Sequence, residues 1–417
     1  MSLLPHRADP IANEGLDASD VMRGWMEDIN LVSSRNDTYS RGIIWVESLE
    51  DLPAPSGGVI TLEDQYTYWF LGEVDLDGNR LLGGRNTTLL GSSSENSRIK
   101  STGLVDALIT SEWSMPIRHV TFEATTIFDL DATGNADQAL DWYGVNLISS
   151  DIGTITSYSN FVANSMAFLD ASGLVFDGTF GTIAFANTLF SGTDPGTIIK
   201  IPSTATITRR FRIIYSSMVV SGSGVALDVS TSASIPVEGY ILDTCNFSGG
   251  GTYTAGVQYD DNKARFNENR GINNSAAITG YYMQGNATAT TISGTGTPTK
   301  VAGTTTESSI SQKFTVTTTN RATYSGAISR DFKVTVVCSI ASGNGHQIGV
   351  YVAKNGTELT ESETYVTTNA SGRLENGSVQ VLTNLSQNDY IEIFVENNTA
   401  ATNITVEDLN VIIQALD

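Results

Sequence analysis

Basic residues are scarce in this 417-residue chain: 23 Lys and Arg stand against 45 Asp and Glu, a formal charge of −22. Duplex nucleic acid and anionic membrane are excluded as partners, because both require a cationic face. The acidity serves solubility, with a few carboxylates collecting Ca²⁺ as the alternative. Cysteine is nearly absent too. Cys245 and Cys338 lie in separate segments and form no disulfide framework; each sits in an apolar alternation and is expected as a small buried hydrophobe. No apolar run approaches the roughly 20 residues needed to cross a bilayer, so membrane insertion is not expected. Met1-Ser-Leu-Leu-Pro-His-Arg7 lacks the basic start and apolar core of a signal peptide, which suggests a protein of the reducing cytosol. His6, His119 and His346 are far apart, and none has metal-ligand spacing. There is no Gly-rich phosphate loop entering a helix, no nucleophile elbow and no cysteine pair for zinc. These absences point to no catalytic residue, no metal ligand and no cofactor.

What is present is a repeat. Gly196-Thr-Ile-Ile-Lys-Ile-Pro-Ser-Thr-Ala-Thr-Ile207 is followed, 28 residues on, by Gly224-Val-Ala-Leu-Asp-Val-Ser-Thr-Ser-Ala-Ser-Ile235. Apolar positions match in register: Ile199 with Leu227, Ile201 with Val229, Ala205 with Ala233, Ile207 with Ile235. Between the copies run Phe190-Ser-Gly192, Val220-Ser-Gly222 and Phe247-Ser-Gly249. A loose period in this range marks stacked units, none of which can bury its apolar face alone. Short runs of Ile, Val, Phe and Thr between Gly, Ser, Asn and Asp make the units strands rather than helices. The pattern predicts a right-handed parallel β-helix over 46–275, one coil per repeat.

Residues 1–45 differ. From Asp20 to Val32, the spacing of Val21, Trp25, Ile29 and Val32 is helical, although Gly24 weakens it. So short a segment needs something to dock against, and two roles stand open: anchor to another protein, or cap on the chain's own β-helix. The aromatic-rich stretch from Ile43 to Gly91 is expected as a cap or as the first coils. Residues 276–310 are rich in Thr, Gly, Ala and Ser and read as an extended connector. In 311–417 the alternation returns. Phe332, Val334, Val336 and Cys338 share one face, as do Ile391, Ile393 and Val395, and Asn355-Gly356 suits a type I′ hairpin. About eight short strands predict an antiparallel jelly-roll sandwich.

Paired carboxylates are the one constellation with chemical potential, since glycoside hydrolysis uses two of them roughly 5–10 Å apart. In a β-helix, aligned positions of adjacent coils stack about 4.8 Å apart. Asp170, Asp177, Asp228, Asp243, Asp260, Asp261 and Glu268 lie on or near coils, but no two fall at clearly equivalent positions, and Asp228 aligns with Lys200. Turn residues and solvated faces account for them. Asp75-Leu-Asp-Gly-Asn79 has a calcium-loop flavour without the later Glu, and reads as an Asp-Gly turn.

The order of parts resembles bacteriophage tail spikes, fibres and related virion appendages. Trp45-Val-Glu-Ser-Leu-Glu-Asp-Leu-Pro-Ala-Pro-Ser-Gly-Gly-Val-Ile-Thr-Leu62 is similar to the entry of phage β-helix proteins, and the coils at 181–270 resemble their shaft. Residues 311–417, with Tyr324-Ser-Gly326, Val350-Tyr-Val-Ala-Lys-Asn-Gly356 and Asp389-Tyr-Ile-Glu-Ile-Phe-Val395, are similar to a tumour-necrosis-factor-like trimeric jelly roll. The resemblance implies a homotrimer assembled in the host cytoplasm. It also implies a virion-bound N-terminal segment that joins other tail or capsid proteins, and a tip that meets the host surface. Without a long helical neck, and with a short β-helix, such a protein is expected to bind a surface glycan rather than cleave it. A polysaccharide-depolymerising tailspike and a capsid-decorating head fibre are the alternatives.

Overall fold

The computed structural model describes residues 42–135, 137–192, 196–369 and 372–416. The expected helix at 20–32, and with it nearly all of the segment 1–45, lies outside the described residues. The fold is all-β; among the described residues the helical turns are two 3-10 turns, Leu49–Asp51 and Thr360–Ser362. The chain divides into two compact units. The first holds the described residues up to Pro236, with Ile241–Val257 and Asn269–Ile272; the second holds Val237–Tyr240, Gln258–Glu268 and Asn273 onward.

The first unit is a three-faced parallel β-solenoid. Its first face stacks Gly42–Val46, Tyr66–Phe70, Thr88–Gly91, Ile117–Arg118, Ala139–Tyr143, Asn160–Asn164, Thr179–Ala186 and Thr206–Ile214. The second face stacks eight strands from Glu73–Asp75 to Asn246–Ser248, and the third nine, from Val59–Thr61 to Thr252–Gly256. The solenoid thus has about nine turns, and the aromatic entrance forms the first of them. Like positions stack on like. On the second face Val74, Ile99, Phe122, Leu147, Phe168 and Phe190 form one inward row, all at most 1% exposed. Aromatic rings continue the stacking across the interior: Phe128 to Trp142 at 4.6 Å between centroids, Trp142 to Phe161 at 4.9 Å, Phe161 to Phe185 at 5.1 Å. Each such ring removes on the order of 150–250 Å² from water, so this ladder supplies much of the core.

The corner between first and second faces is left-handed on successive coils. His119, Gly144, Ser165, Asn187, Tyr215 and Thr244 all have φ between 49° and 64°. The backbone N–H of His119 donates to the Tyr143 carbonyl, that of Gly144 to Asn164, of Ser165 to Ala186, of Asn187 to Ile214, and of Tyr215 to Asp243. The parallel ladder therefore continues around the bend, and these hydrogen bonds hold non-glycine residues in a costly conformation.

The second unit contains two antiparallel sheets in a jelly-roll-like sandwich. One orders Thr306–Glu307, Ile278–Met283, Thr405–Ala415, Arg330–Ala341 and Glu375–Leu385. The other runs through Phe314–Thr317, Arg321–Tyr324, Tyr390–Asn397, Gln347–Lys354 and Thr357–Glu358. Phe332, Val334, Val336 and Cys338 face Ile391, Ile393 and Val395 across one core. Asn355 and Gly356, with φ of 53° and 78°, form the expected type I′ turn.

The connector reading of 276–310 is corrected. Ile278–Met283 pairs residue by residue with Leu409–Gln414, and Ala277, Tyr281, Met283, Ile292 and Val301 belong to the sandwich core. A Thr- and Gly-rich composition conceals that Ala277, Tyr281, Met283, Ile292 and Val301 point inward, while Tyr282 and Ile310 are exposed. The first coil begins at Gly42, a few residues before the expected start at 46.

Candidate functional site: a carboxylate-lined groove on the solenoid

The third face presents one outward row that the register defines completely: Thr61, Leu82, Thr110, Asp129, Thr154, Val175, Lys200, Asp228. Asp228 lies beside Lys200, as the sequence offset predicts. Asp129 and Asp228 are four coils apart, about 19 Å at the usual strand spacing, too far for a catalytic pair.

A different pair does come together. Ser111 is in register with Leu130, so Glu112 follows on its coil as Asp131 follows on the next, roughly 5 Å away along the stack. Both line a groove of about 440 Å³, together with Asp64, Asp129, Trp113 and the turn Gly83-Gly84. Hydrogen bonds set three of the carboxylates. Asp131 Oδ1 accepts the Thr133 N–H at 2.8 Å, Glu112 Oε2 accepts from Asn135 Nδ2 at 3.4 Å, and Asp64 Oδ1 accepts the Arg85 N–H at 2.7 Å. The Arg85 guanidinium stands 5.7 Å from the centre of the half-buried Trp113 ring. Beneath them the buried Tyr158 hydroxyl donates to the Ser111 carbonyl at 3.0 Å. Burial pushes that phenol above its ordinary range, and the charges of Asp131 and Glu112 push it the same way.

Chemically, the groove offers acceptors for vicinal hydroxyls beside an indole wall and a guanidinium, which suits a hydroxyl-rich ligand. A general acid for glycoside cleavage must keep its proton near neutrality, and that calls for burial. Asp64, Glu112, Asp129 and Asp131 are all exposed. Among the described residues no three His, Cys, Asp or Glu side chains approach closely enough to hold a metal ion.

The carboxylates singled out from sequence serve turns. Asp177 caps Gly178 N at 2.7 Å and accepts from Thr204 Oγ1 at 2.6 Å; Asp170 accepts from Ser191 Oγ at 3.4 Å; Asp243 accepts from Thr244 Oγ1 at 3.1 Å. Asp261 caps Lys263 N at 2.7 Å, and Glu268 occupies a left-handed position. Asp75 accepts from Thr102 through both its hydroxyl, at 2.6 Å, and its N–H, at 3.0 Å, which lowers its carboxyl pKa. Its oxygens are committed to the turn of the neighbouring coil. Sequence reasoning passed over Glu112, Trp113 and Asp131. The available signal was Asp129-Leu130-Asp131, two acids flanking an inward leucine immediately before a turn.

No protein-family model matches the sequence, and no curated protein is similar to it. Among solved structures, the chain is similar to the enzymatically active domain of tailspike protein 4 of bacteriophage CBA120, at 9% identity and TM-score 0.28, covering 84% of this chain and 64% of that one. It is also similar to full-length tailspike protein 2 of an Escherichia coli O157:H7 bacteriophage, at 10% identity and TM-score 0.21, covering 92% and 65%. The vertex protein P5 of PRD1 matches over 34% of this chain and 96% of its own length, at 13% identity and TM-score 0.24. The chain spans less than two thirds of the length of either tailspike structure.

Proposed function

We propose that this protein is a trimeric bacteriophage virion appendage of the tail-spike or fibre type that attaches to a host-surface glycan without cleaving it. One observation carries the trimer. The outward side of the five-stranded sheet exposes Tyr282 (45%), Val337 (52%), Ile412 (47%) and Leu382 (64%). Tyr282 and Val337 flank Asn410, and Ile412 lies beside them opposite Thr335. Contiguous apolar side chains on an open sheet face call for a partner surface. A second copy of the same jelly roll supplies one, with closed symmetry giving a finite assembly. Assembly takes place in the host cytoplasm, and residues 1–45 join the particle or cap the shaft. Sedimentation velocity at micromolar concentration tests this: a species of about three chain masses is expected, and a monomer overturns it. Glycan attachment rests on the groove beside Trp113.

A depolymerising enzyme is the second reading, favoured by the stacking of Glu112 on Asp131. Incubation with host capsule or lipopolysaccharide decides between them, since only the enzyme releases oligosaccharide. Electron microscopy of labelled virions separates a tail appendage from a head fibre.

A further inference from the structure

Where the third face turns into the first, successive coils spend very different lengths of chain. Thr126–Asp131 reaches Ala139–Tyr143 through residues 132–138, and Asp151–Thr156 reaches Asn160–Asn164 through 157–159. Leu174–Asp177 reaches Thr179–Ala186 through Gly178 alone, and Thr197–Ile201 reaches Thr206–Ile214 through 202–205. Two short turns between two longer ones leave a notch in this edge, a groove of about 500 Å³. That is the size of a small-molecule site. Asp137 lines it on one side, Thr208 and Arg209 on the other, and Ser157, Ser159 and Asn160 lie between them.

A bulge brings Arg209 to this groove. Thr179 pairs with Thr206 and Phe180 with Ile207, but Thr182 pairs with Arg210, so Gly181 stands opposite both Thr208 and Arg209. An extra residue of this kind takes a side chain out of the strand's regular alternation. Thr208 Oγ1 is tied back to the Phe180 carbonyl at 3.2 Å. The Arg209 side chain is exposed and has no ion pair among the described residues. In a chain with 23 bases against 45 acids, that freedom stands out. On the same solenoid Arg80, Arg98, Lys100 and Arg118 each hold a carboxylate.

We propose that this groove binds an acidic saccharide, with Arg209 taking the carboxylate or phosphate of one sugar unit. A guanidinium presents paired N–H donors that fit either anion two at a time. The residues between supply partners for the sugar's hydroxyls. Ser159 Oγ donates to the Gln138 carbonyl at 2.8 Å and keeps a lone pair free as an acceptor. Ser157 Oγ accepts the Thr179 N–H at 3.2 Å and keeps its own proton to donate. Asp137 belongs to the turn three coils back, about 14 Å along the stack, where it can accept hydroxyls without facing the anion. The groove beside Trp113 is lined by four carboxylates and repels such a ligand, so the two sites select differently. The proposal depends neither on trimerisation nor on the attachment assigned to Trp113.

Isothermal titration of the full-length chain at low salt tests the proposal with trigalacturonic acid, its methyl-esterified form and glucose 6-phosphate. Trigalacturonic acid, glucose 6-phosphate or both are expected to bind at least tenfold more tightly than the ester, and which of them does so separates a carboxylate from a phosphate ligand. Arg209→Gln is expected to abolish the difference at an unchanged melting temperature, because the side chain is exposed. Thr179 is exposed too and lines the groove. Thr179→Trp fills the groove with an indole while leaving Arg209 in place, and is expected to weaken the acidic probes at least tenfold. Acid binding that survives Thr179→Trp is a bare charge contact and overturns the proposal. Inorganic phosphate that binds as tightly as the acidic saccharides overturns it as well, since the sugar then contributes nothing. So does equal affinity for acids and ester, or binding by none of the probes. Trp113→Ala is expected to change none of these affinities. If it weakens the acids while Arg209→Gln does not, the anion sits in the other groove, which overturns this proposal and leaves the attachment at Trp113 standing.

Discussion

The Lys300 ammonium lies 2.6 Å from a carboxylate oxygen of Glu392, a side chain that is only 3% exposed. Arg321 reaches the same oxygen at 2.8 Å and sets its guanidinium 3.9 Å from the centre of the Tyr390 ring. Thus Lys300, from a stretch whose composition reads as a linker, neutralises a charge that the strand Tyr390–Asn397 buries on its outer side. Glu392→Ala would leave two cations facing each other without an anion. Both remain partly hydrated, so the loss is expected at about 2–3 kcal/mol, below the 3–5 kcal/mol typical of a fully buried broken pair. Urea denaturation of Glu392→Ala and of Lys300→Ala checks this; the lysine variant, which leaves Arg321 in place, should lose less than half as much.

Why was one repeat visible and the rest hidden? The left-handed corner recurs at residues 119, 144, 165, 187, 215 and 244, in steps of 25, 21, 22, 28 and 29 residues. The two copies opening at Gly196 and Gly224 fall where successive coils are nearly equal in length, so their offset survives in the sequence and predicts the observed pairing of Lys200 with Asp228. Elsewhere the loops absorb unequal lengths, and five of the six corners are filled by His, Ser, Asn, Tyr and Thr, with glycine only at Gly144 to mark one. The groove was hidden for a related reason. Glu112 and Asp131 are neighbours only because one coil happens to take 19 residues between them, a number no motif encodes. The interior was legible because alternation of apolar residues is a local property of each strand.

Gly153 shows how tightly the coils stack. Its φ is 100°, and a Cβ there would lie 1.9 Å from the Phe128 carbonyl oxygen on the preceding coil. That oxygen belongs to the strand ladder and cannot swing aside as a side-chain tip would. Gly153→Ala combines an unfavourable backbone region with the clash, so a loss of at least about 2 kcal/mol is expected. A thermal midpoint within a degree of the parent would contradict this reading of the third face.

Burial pushes the Cys245 thiol up to about 11 and the Cys338 thiol up to about 12, from an ordinary 9.0. Both are held protonated by the fold, so the unfolded chain loses its protons first as pH rises. Their contribution is complete below pH 9 and drains away between pH 9 and 11 for Cys245, and between 9 and 12 for Cys338. Within that window each thiol adds a slope of up to about 1.4 kcal/mol per pH unit. Tyr158 and Tyr281, raised chiefly by burial, act in the same direction. Cys338→Ala should flatten the alkaline limb of the stability curve; an unchanged slope between pH 9 and 11 would rule the thiol out as its source.

The groove on the third face yields the last prediction, which bears on the attachment proposed above. Trp113 is half-buried, and its ring, beside Arg85, is the groove's one broad apolar surface, whereas Glu112 and Asp131 offer acceptors at the rim. A saccharide seated there would lose stacking area in Trp113→Ala and one charge-assisted acceptor in Glu112→Gln. Each is expected to weaken binding to host-surface glycan about tenfold, or roughly 1.4 kcal/mol. Glu112 is exposed, so Glu112→Gln should leave the melting temperature unchanged and separate binding from folding. Binding that survives both substitutions would move the receptor contact off the solenoid groove. If Glu112→Gln instead abolished release of oligosaccharide by the parent chain, the pair with Asp131 would be catalytic, and the protein a depolymerase.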